Sequence, residues 1–469
     1  MLRFERSFIL TSHALQRISI LFTLCYIVLL QGYPFFGKFG WLLFALLCGL
    51  NRDFALYATF FFSAFFVATG FFKNPLFSIK HFHIALSFLL MMHFLYGDLI
   101  AKIKLNYKYA ASLLIWVVLI LISIISSESR DLWALKMNGN ILSCVMSAFI
   151  LVCIAKRRKD ILLNAILFFV FGTCLRIILA GWASVQKPFF IHLNEQLIYN
   201  NHIGFLASSS IFLLFPYFLT KQDFMKRFLC SVMMVILFIG LMLSCSRTGW
   251  FSFLISYCLF SALFYFSHRK QFISKVSLNI KWFWGITAVL FLGIGIMGFY
   301  FNYDVLSRIL ALEKLFDLDY LKYTFNDRQN FGFLGFFRLS QFETAAQIFK
   351  THLLFGIGFC HKVIDFHSLY LSILGGTGIL GLVLFGLFCY LWGRMLLRRT
   401  FLYLDDLNLF RIGLFCSFFV WLTYSFMETF IVQFNIWVLL AAGIALQSGI
   451  DDAELQTLVV PKSKLHAGR

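Results

Sequence analysis

Apolar runs long enough to cross a bilayer as helices, about 17 residues or more, follow one another along most of the chain. They fall near residues 15–31, 34–50, 54–72, 82–99, 109–126, 139–155, 161–181, 202–219, 228–244, 249–266, 282–301, 369–393, 409–427 and 430–447. The two runs beside Asn51-Arg52-Asp53 are divided by so few polar residues that the pattern predicts about twelve to fourteen spans. A helix keeps its backbone hydrogen bonds inside one segment, as hydrocarbon demands. The expected fold class is therefore an all-α polytopic membrane protein. Composition agrees, with 61% of residues hydrophobic and 13% charged, against roughly a quarter charged in soluble domains. Met1–Arg17 is polar and the first apolar run is long enough to span, so a cleavable signal peptide is not expected.

The net charge of +19 would suit a nucleic-acid partner if it formed one soluble face. Instead, the basic residues form short clusters between apolar runs. Placing Arg3 and Arg6 inside and alternating the spans puts Arg52, Lys102, Lys104, Lys108 and Lys156–Lys159 inside. Lys226, Arg227, His268–Lys281, Arg394, Arg398, Arg399, Lys462, Lys464 and Arg469 follow them. Every strong basic cluster then lies on one side, as the positive-inside rule requires. The partner read from this pattern is the lipid bilayer, with both termini cytoplasmic and no nucleic acid. The Cys residues are scattered, mostly within apolar runs, and no Cys-x-x-Cys occurs. There they act as small apolar residues, which predicts neither a disulfide framework nor a cysteine metal site.

The chain divides into a first part of the bundle at 1–301, a long outer loop at 302–366, a second part of the bundle at 367–447 and a tail at 448–469. The loop is electrically neutral. Arg308, Lys314, Lys322, Arg328, Arg338, Lys350 and Lys362 balance Asp304, Glu313, Asp317, Asp319, Asp327, Glu343 and Asp365. A connection of that length is usually functional. Val305, Leu306, Ile309, Leu310, Leu312 and Phe316 recur at helical spacing, as in a helix lying on a membrane. Arg338, Phe342, Ala345 and Phe349 make the single stripe of a second amphipathic helix. Arg338 thus shares the apolar face, where a guanidinium needs an anion; Glu343 or Asp365 would serve as well as a ligand.

Candidate chemistry gathers on the outer side. Arg247 sits in the tight turn Leu243-Ser244-Cys245-Ser246-Arg247-Thr248-Gly249-Trp250, where it either snorkels beside an interfacial Trp or meets a substrate. His367 opens the span after the long loop. A helix N-terminus favours neutral imidazole, the form a general base needs, although a surface His would fit the same position. Gly375, Gly376, Gly378 and Gly381 clear side chains from one stretch of that span, for close packing or for a ligand. Arg176, late in its own span and near the outer face, is an intramembrane charge and a functional suspect for that reason, unless it snorkels outward to water. His352, His361, Asp365 and His367 match no standard zinc spacing, so no metal is expected. No phosphate-binding Gly loop with a Lys appears, and no cofactor is expected. Two or three Arg beside one His suit a lipid diphosphate, whose oxygens Arg binds in pairs.

From the Ser246-Arg247-Thr248-Gly249 turn to Gly378-Ile379-Leu380-Gly381, the chain resembles the O-antigen ligase and polymerase superfamily. The resemblance rests on the Ser-Arg-x-Gly turn, the long loop with its Arg, the run Leu354-Phe355-Gly356-Ile357-Gly358, and His367-Ser368. Tyr370-Leu371 and the closing Gly-x-x-Gly complete it. Tyr199-Asn200-Asn201-His202 is similar to the family's Asn-bearing segment, while Leu353 stands where the family usually has Pro. The resemblance implies a periplasmic glycosyltransferase of the bacterial inner membrane that needs neither metal nor nucleotide. Its donor would be a glycan on undecaprenyl diphosphate and its acceptor lipid A–core. By the same resemblance His367 activates the acceptor hydroxyl, Arg247 and Arg338 hold the diphosphate, and Asn201, Tyr370 and Gly378 join Arg176 around the substrate.

Three other functions stay open in the sequence. A polymerase shares the topology and donor but extends the lipid-linked chain, and a protein O-oligosaccharyltransferase changes the acceptor. A lipid-linked glycan flippase would line a path at mid-membrane, whereas these polar residues gather at one side.

Overall fold

The computed structural model describes residues 16–26, 43, 46–65, 107–127, 132–155, 159–185, 200–219, 224–244, 246–268, 288, 336–359, 368–398, 406–426 and 434–459. Among them the regular structure is entirely helical. The helices are α1 (Arg52–Phe65), α2 (Tyr107–Ser126), α3 (Leu132–Ala155), α4 (Lys159–Val185), α5 (Asn200–Leu219) and α6 (Phe224–Leu243). They continue as α7 (Arg247–His268), α8 (Phe336–Thr351), α9 (Leu369–Leu397), α10 (Asp406–Tyr424) and α11 (Phe434–Val459); residues 16–26 and 46–50 are also helical.

Six of the helices are long and apolar enough to cross a membrane, at Ile161–Gly181, His202–Leu219, Met225–Leu243, Thr248–Ser267, Leu369–Leu397 and Leu407–Tyr424. Shorter apolar helices cover Asp53–Phe65, Ala111–Ser126, Asn138–Cys153 and Asn435–Gln447. The chain is a multi-pass membrane protein, and these helices fall on ten of the expected runs. The expected spans at 82–99 and, apart from residue 288, at 282–301, and the first amphipathic stripe at 305–316, lie outside the described residues. The second stripe is α8.

One expectation is corrected. The run expected as one span at 369–393 extends to Leu397 and is broken at Gly378, whose backbone is non-helical. The apolar part of the last helix ends at Gln447, where the last span was expected to end, and the helix itself continues to Val459.

Helix α5 is the centre of its half of the bundle: 94% of its span is buried, against 39% for the span in α6. It packs on α4, α6, α7 and α10. Pro216 within α5 leaves the Phe212 carbonyl without its usual donor, and Gly413 of α10 lies against both Phe212 and the Pro216 ring. Any side chain at 413 would fill that approach. Thr173 of α4 and Ser210 of α5 set the register between those helices through a 3.0 Å hydrogen bond. The other half is joined by aromatic residues. Trp116 of α2 meets Phe385 and Phe388 of α9 and Trp437 of α11 edge to face, the geometry ring quadrupoles favour.

Candidate functional site

The N-termini of α5, α7 and α9 and the C-termini of α4, α6 and α10 come together at one end of the bundle. Ser246 begins this convergence. It caps α7, its hydroxyl accepting from Gly249 N–H at 3.1 Å, as Ser does for the free donors of a helix start. The same hydroxyl lies 2.7 Å from the Tyr424 hydroxyl of α10. Gly249 comes so near Gly204 of α5 that a Cβ on it would stand 3.2 Å from the Gly204 Cα. Tyr424 also packs its ring edge-on to Phe205 of α5. The Ser-Arg-x-Gly turn is therefore fastened to two other helices, and Arg247 is the first residue of α7. A cation at the positive end of a helix dipole is unfavourable unless an anion joins it, and a helix start offers an anion free N–H groups as well.

Helix α9 is fastened to the same place. Leu369 N–H donates to the Ser425 carbonyl at 2.9 Å, and the Tyr370 hydroxyl donates to the Leu422 carbonyl at 2.8 Å. The Tyr370 ring lies against Phe385 and Phe426. Tyr370, expected at the substrate, has its hydroxyl engaged with the last turn of α10. That bond holds the start of α9, and hence Ser368, beside the helix that carries Tyr424. His367 itself lies outside the described residues.

The break at Gly378 explains the glycine cluster. With φ of 65° and ψ of −164°, Gly378 interrupts the helical ladder and leaves backbone groups on both sides of it to be paired. The Leu353–Gly358 strap pairs them. Ile357 N–H donates to Gly375 O at 2.9 Å and Gly358 N–H to Gly376 O at 2.8 Å. In return, Ile379 N–H donates to Leu353 O at 2.9 Å and Leu380 N–H to Leu354 O at 3.4 Å. Gly356 and Gly358 also take positive φ, which glycine adopts without steric cost. A Cβ on Gly378 would stand 2.6 Å from Phe355 N. Protein backbone thus occupies the space that Gly378 was expected to open to substrate. Ser123 of α2 completes the clasp by accepting from Phe359 N–H at 2.7 Å. The turn before the strap is closed by Gly356 N–H donating to His352 O at 3.0 Å, while Leu353, where the resemblance leads to Pro, gives its carbonyl to Ile379. The strap follows directly from α8, whose Ala345 and Ile348 pack with Ile357 and Leu371. Arg338 lies in the first turn of α8, so the clasp fixes the helix bearing Arg338 to the helix that follows His367.

Arg176 is buried in α4 with 1% of its surface exposed. None of its three guanidinium nitrogens has a hydrogen-bond partner among the described residues. His202, buried near the start of α5, is within electrostatic reach of it. Asn201 is the second residue of α5. The structure therefore brings Arg176, Arg247, Asn201 and Tyr370 to one end of the bundle by their backbone positions. Tyr424 is an addition that no motif contains, while Ser246 and His202 lie in the quoted motifs without a role of their own there. The one sequence signal for His202 is its place in the Asn-bearing segment. Among the described residues, no cluster of three or more His, Cys, Asp or Glu could hold a metal.

Ser246→Ala removes both the cap and the Tyr424 partner. It is expected to lower stability by about 1–3 kcal/mol, read as a lower melting temperature of the purified protein, and Ser246→Thr should retain most of it.

Residues 232–386 match the family model described as O-antigen ligase. This stretch runs from within α6 through α7, α8 and the strap to the middle of α9. No curated protein matches the chain.

Proposed function

We propose that the chain is an O-antigen ligase, because residues 232–386 match the family model of that description, a family of glycan-transferring enzymes acting on lipid-linked glycans. In this reading it moves a polysaccharide from undecaprenyl diphosphate to a sugar of lipid A–core. The observation that carries the reading is the convergence of three helix N-termini, one of them headed by Arg247, at the end of the bundle toward which α4 carries a buried Arg176 that has no hydrogen-bond partner among the described residues. That end of the bundle is built for anionic oxygen, and a diphosphate brings it.

His367 takes the proton of the acceptor hydroxyl as that oxygen bonds to the anomeric carbon. The bond from this carbon to the diphosphate oxygen breaks, and undecaprenyl diphosphate leaves with the electron pair. Arg247 and Arg338 neutralise the charge that grows on the leaving oxygen. The cleaved diphosphate linkage supplies the driving force, so no nucleotide or metal ion is required. The site end faces the periplasm and both termini are cytoplasmic. Support comes from the opposite end, where Lys159 at the start of α4, Lys226 with Arg227, and Arg394 with Arg398 are found, as on a cytoplasmic side.

The test is deletion of the gene in its host, with lipopolysaccharide and undecaprenyl-linked glycan separated by size. A ligase predicts bare lipid A–core and long chains stranded on undecaprenyl diphosphate. Lipid A–core capped by a single repeat would identify a polymerase instead, and unchanged lipopolysaccharide would overturn both.

A further inference from the structure

The strap beside Gly378 carries three large apolar side chains in a row, Leu353, Leu354 and Phe355, and all three are exposed. A loop standing in water rarely shows such a run. Its height in the bundle follows from ring contacts. Phe385 meets Trp421 and Phe388 meets Phe418, so the part of α9 after the break runs antiparallel to α10, with Gly381 level with Ser425. Leu369 N–H donates to that same Ser425, although an unbroken helix would set Leu369 about 18 Å beyond Gly381. The Tyr370 ring reaches Phe385 through the same fold-back. Leu369–Thr377 therefore lies across the bundle at the level where α10 ends, and Ile379–Leu397 is the part left to cross the membrane. That part is about 28 Å long, close to the hydrocarbon thickness of about 30 Å, with Arg394 and Arg398 at its far end. Ile379 and Leu380 thus stand at the edge of the hydrocarbon on the site side. Their N–H groups are the ones that donate to the Leu353 and Leu354 carbonyls.

Lipid already covers the helix below this edge. Ile379, Val383, Leu387 and Tyr390 are exposed and recur at helical spacing, the lipid-facing stripe of α9. Leu354 and Phe355 continue that stripe past the break, since a Cβ on Gly378 would meet the backbone of both. The strap also satisfies its backbone from within the protein, as hydrocarbon demands. Gly356 N–H donates to His352 O, Ile357 and Gly358 N–H donate to α9, and Phe359 N–H donates to Ser123. Just before the apolar run, Lys350 and Thr351 are exposed, polar groups that suit the headgroup level. We propose that Leu353-Leu354-Phe355 is immersed in the leaflet on the site side, its partner being the acyl chains of bilayer phospholipids. The strap is then a lipid-anchored edge of the bundle. Because it follows α8 directly, the leaflet sets the height of the helix that carries Arg338, whichever glycan transfer the chain performs.

The experiment places a photoreactive side chain on this edge of the full chain, as Leu354→benzoylphenylalanine and, separately, Phe355→benzoylphenylalanine. Gln347→benzoylphenylalanine, on the exposed face of α8, is the comparison. Each variant is reconstituted in liposomes of phosphatidylethanolamine and phosphatidylglycerol once its melting temperature shows it folded as wild type. After irradiation, adducts are identified by intact mass and peptide mapping. The expected result is phospholipid joined through its acyl chains as the main product at 354 and 355, severalfold more than at 347. Lipid labelling no greater at 354 and 355 than at 347 would overturn the proposal. Adducts to a second copy of the chain would overturn it by making the edge a protein interface. Crosslinks to the chain's own residues in place of lipid would do the same, as would no adduct at either position, the result for side chains in water.

Discussion

Replacing His367 by alanine is expected to lower glycan transfer by about two to four orders of magnitude, the usual share of a positioned general base, with protein abundance in the membrane unchanged. The expectation rests on where the start of α9 is held. Leu369 and Tyr370 are bonded to the last turn of α10, and Tyr424 of that helix meets the cap of α7. The start of α9, which follows His367 in the chain, is thereby kept at the same end of the bundle as the start of α7. Arg247→Ala and Arg338→Ala should each cost about two to three orders of magnitude, as loss of a group that stabilises leaving-group charge does. Lysine at either position should recover only part, since it cannot bind two oxygens of a phosphate in a fixed fork. The measurement is long-chain lipopolysaccharide in a deletion strain complemented with each variant, normalised to protein level. Full complementation by both His367→Ala and Arg338→Ala would show that the roles are wrongly assigned.

The largest effect on folding is expected at Gly378. Alanine there must take a positive φ with an extended ψ, a region essentially reserved to glycine and costing about 1–3 kcal/mol, and must also push its Cβ into the Leu354–Phe355 backbone. That backbone cannot move without breaking the hydrogen bonds that satisfy the interrupted helix. Overpacking costs about 1–3 kcal/mol more, and a total of roughly 3 kcal/mol or above would lower the melting temperature by several degrees. Gly386→Ala is the matched control in the same helix. Nothing lies within 4 Å of a Cβ built on it, so it should be neutral or slightly stabilising, as Ala is in a helix interior. Gly378→Ala should also depress transfer per folded molecule, because the clasp joins the helix bearing Arg338 to the helix that follows His367. If both variants melt like wild type, the strap does not hold α9.

Much of the bundle could be read from the sequence because hydrocarbon imposes a simple length rule. The runs at 161–181 and 202–219 coincide with the helical spans Ile161–Gly181 and His202–Leu219. Arg176 was legible for a similar reason, since one charge in an apolar run stands out whatever its partners are. The break in α9 was not. Glycines at 375, 376, 378 and 381 read equally well as close helix packing, and what sets the break is a strap some twenty residues earlier whose amides replace the missing helical bonds. The Ser246–Tyr424 bond joins residues 178 positions apart, a separation that no periodicity encodes. His202 was hidden differently. It adjoins Asn201, which the family resemblance favoured, and its approach to Arg176 depends on the α4–α5 register that Thr173 and Ser210 fix. The polar residues that matter are those whose partners come from another helix, so the span pattern locates them without pairing them.

The most direct test of the central claim is reconstitution. Purified protein in liposomes is given undecaprenyl-diphosphate-linked polysaccharide and lipid A–core, with chelator present and no nucleotide, and the products are separated by size. The account predicts transfer of intact chains to lipid A–core and release of undecaprenyl diphosphate. Lengthening of the lipid-linked chain with lipid A–core left bare would contradict it.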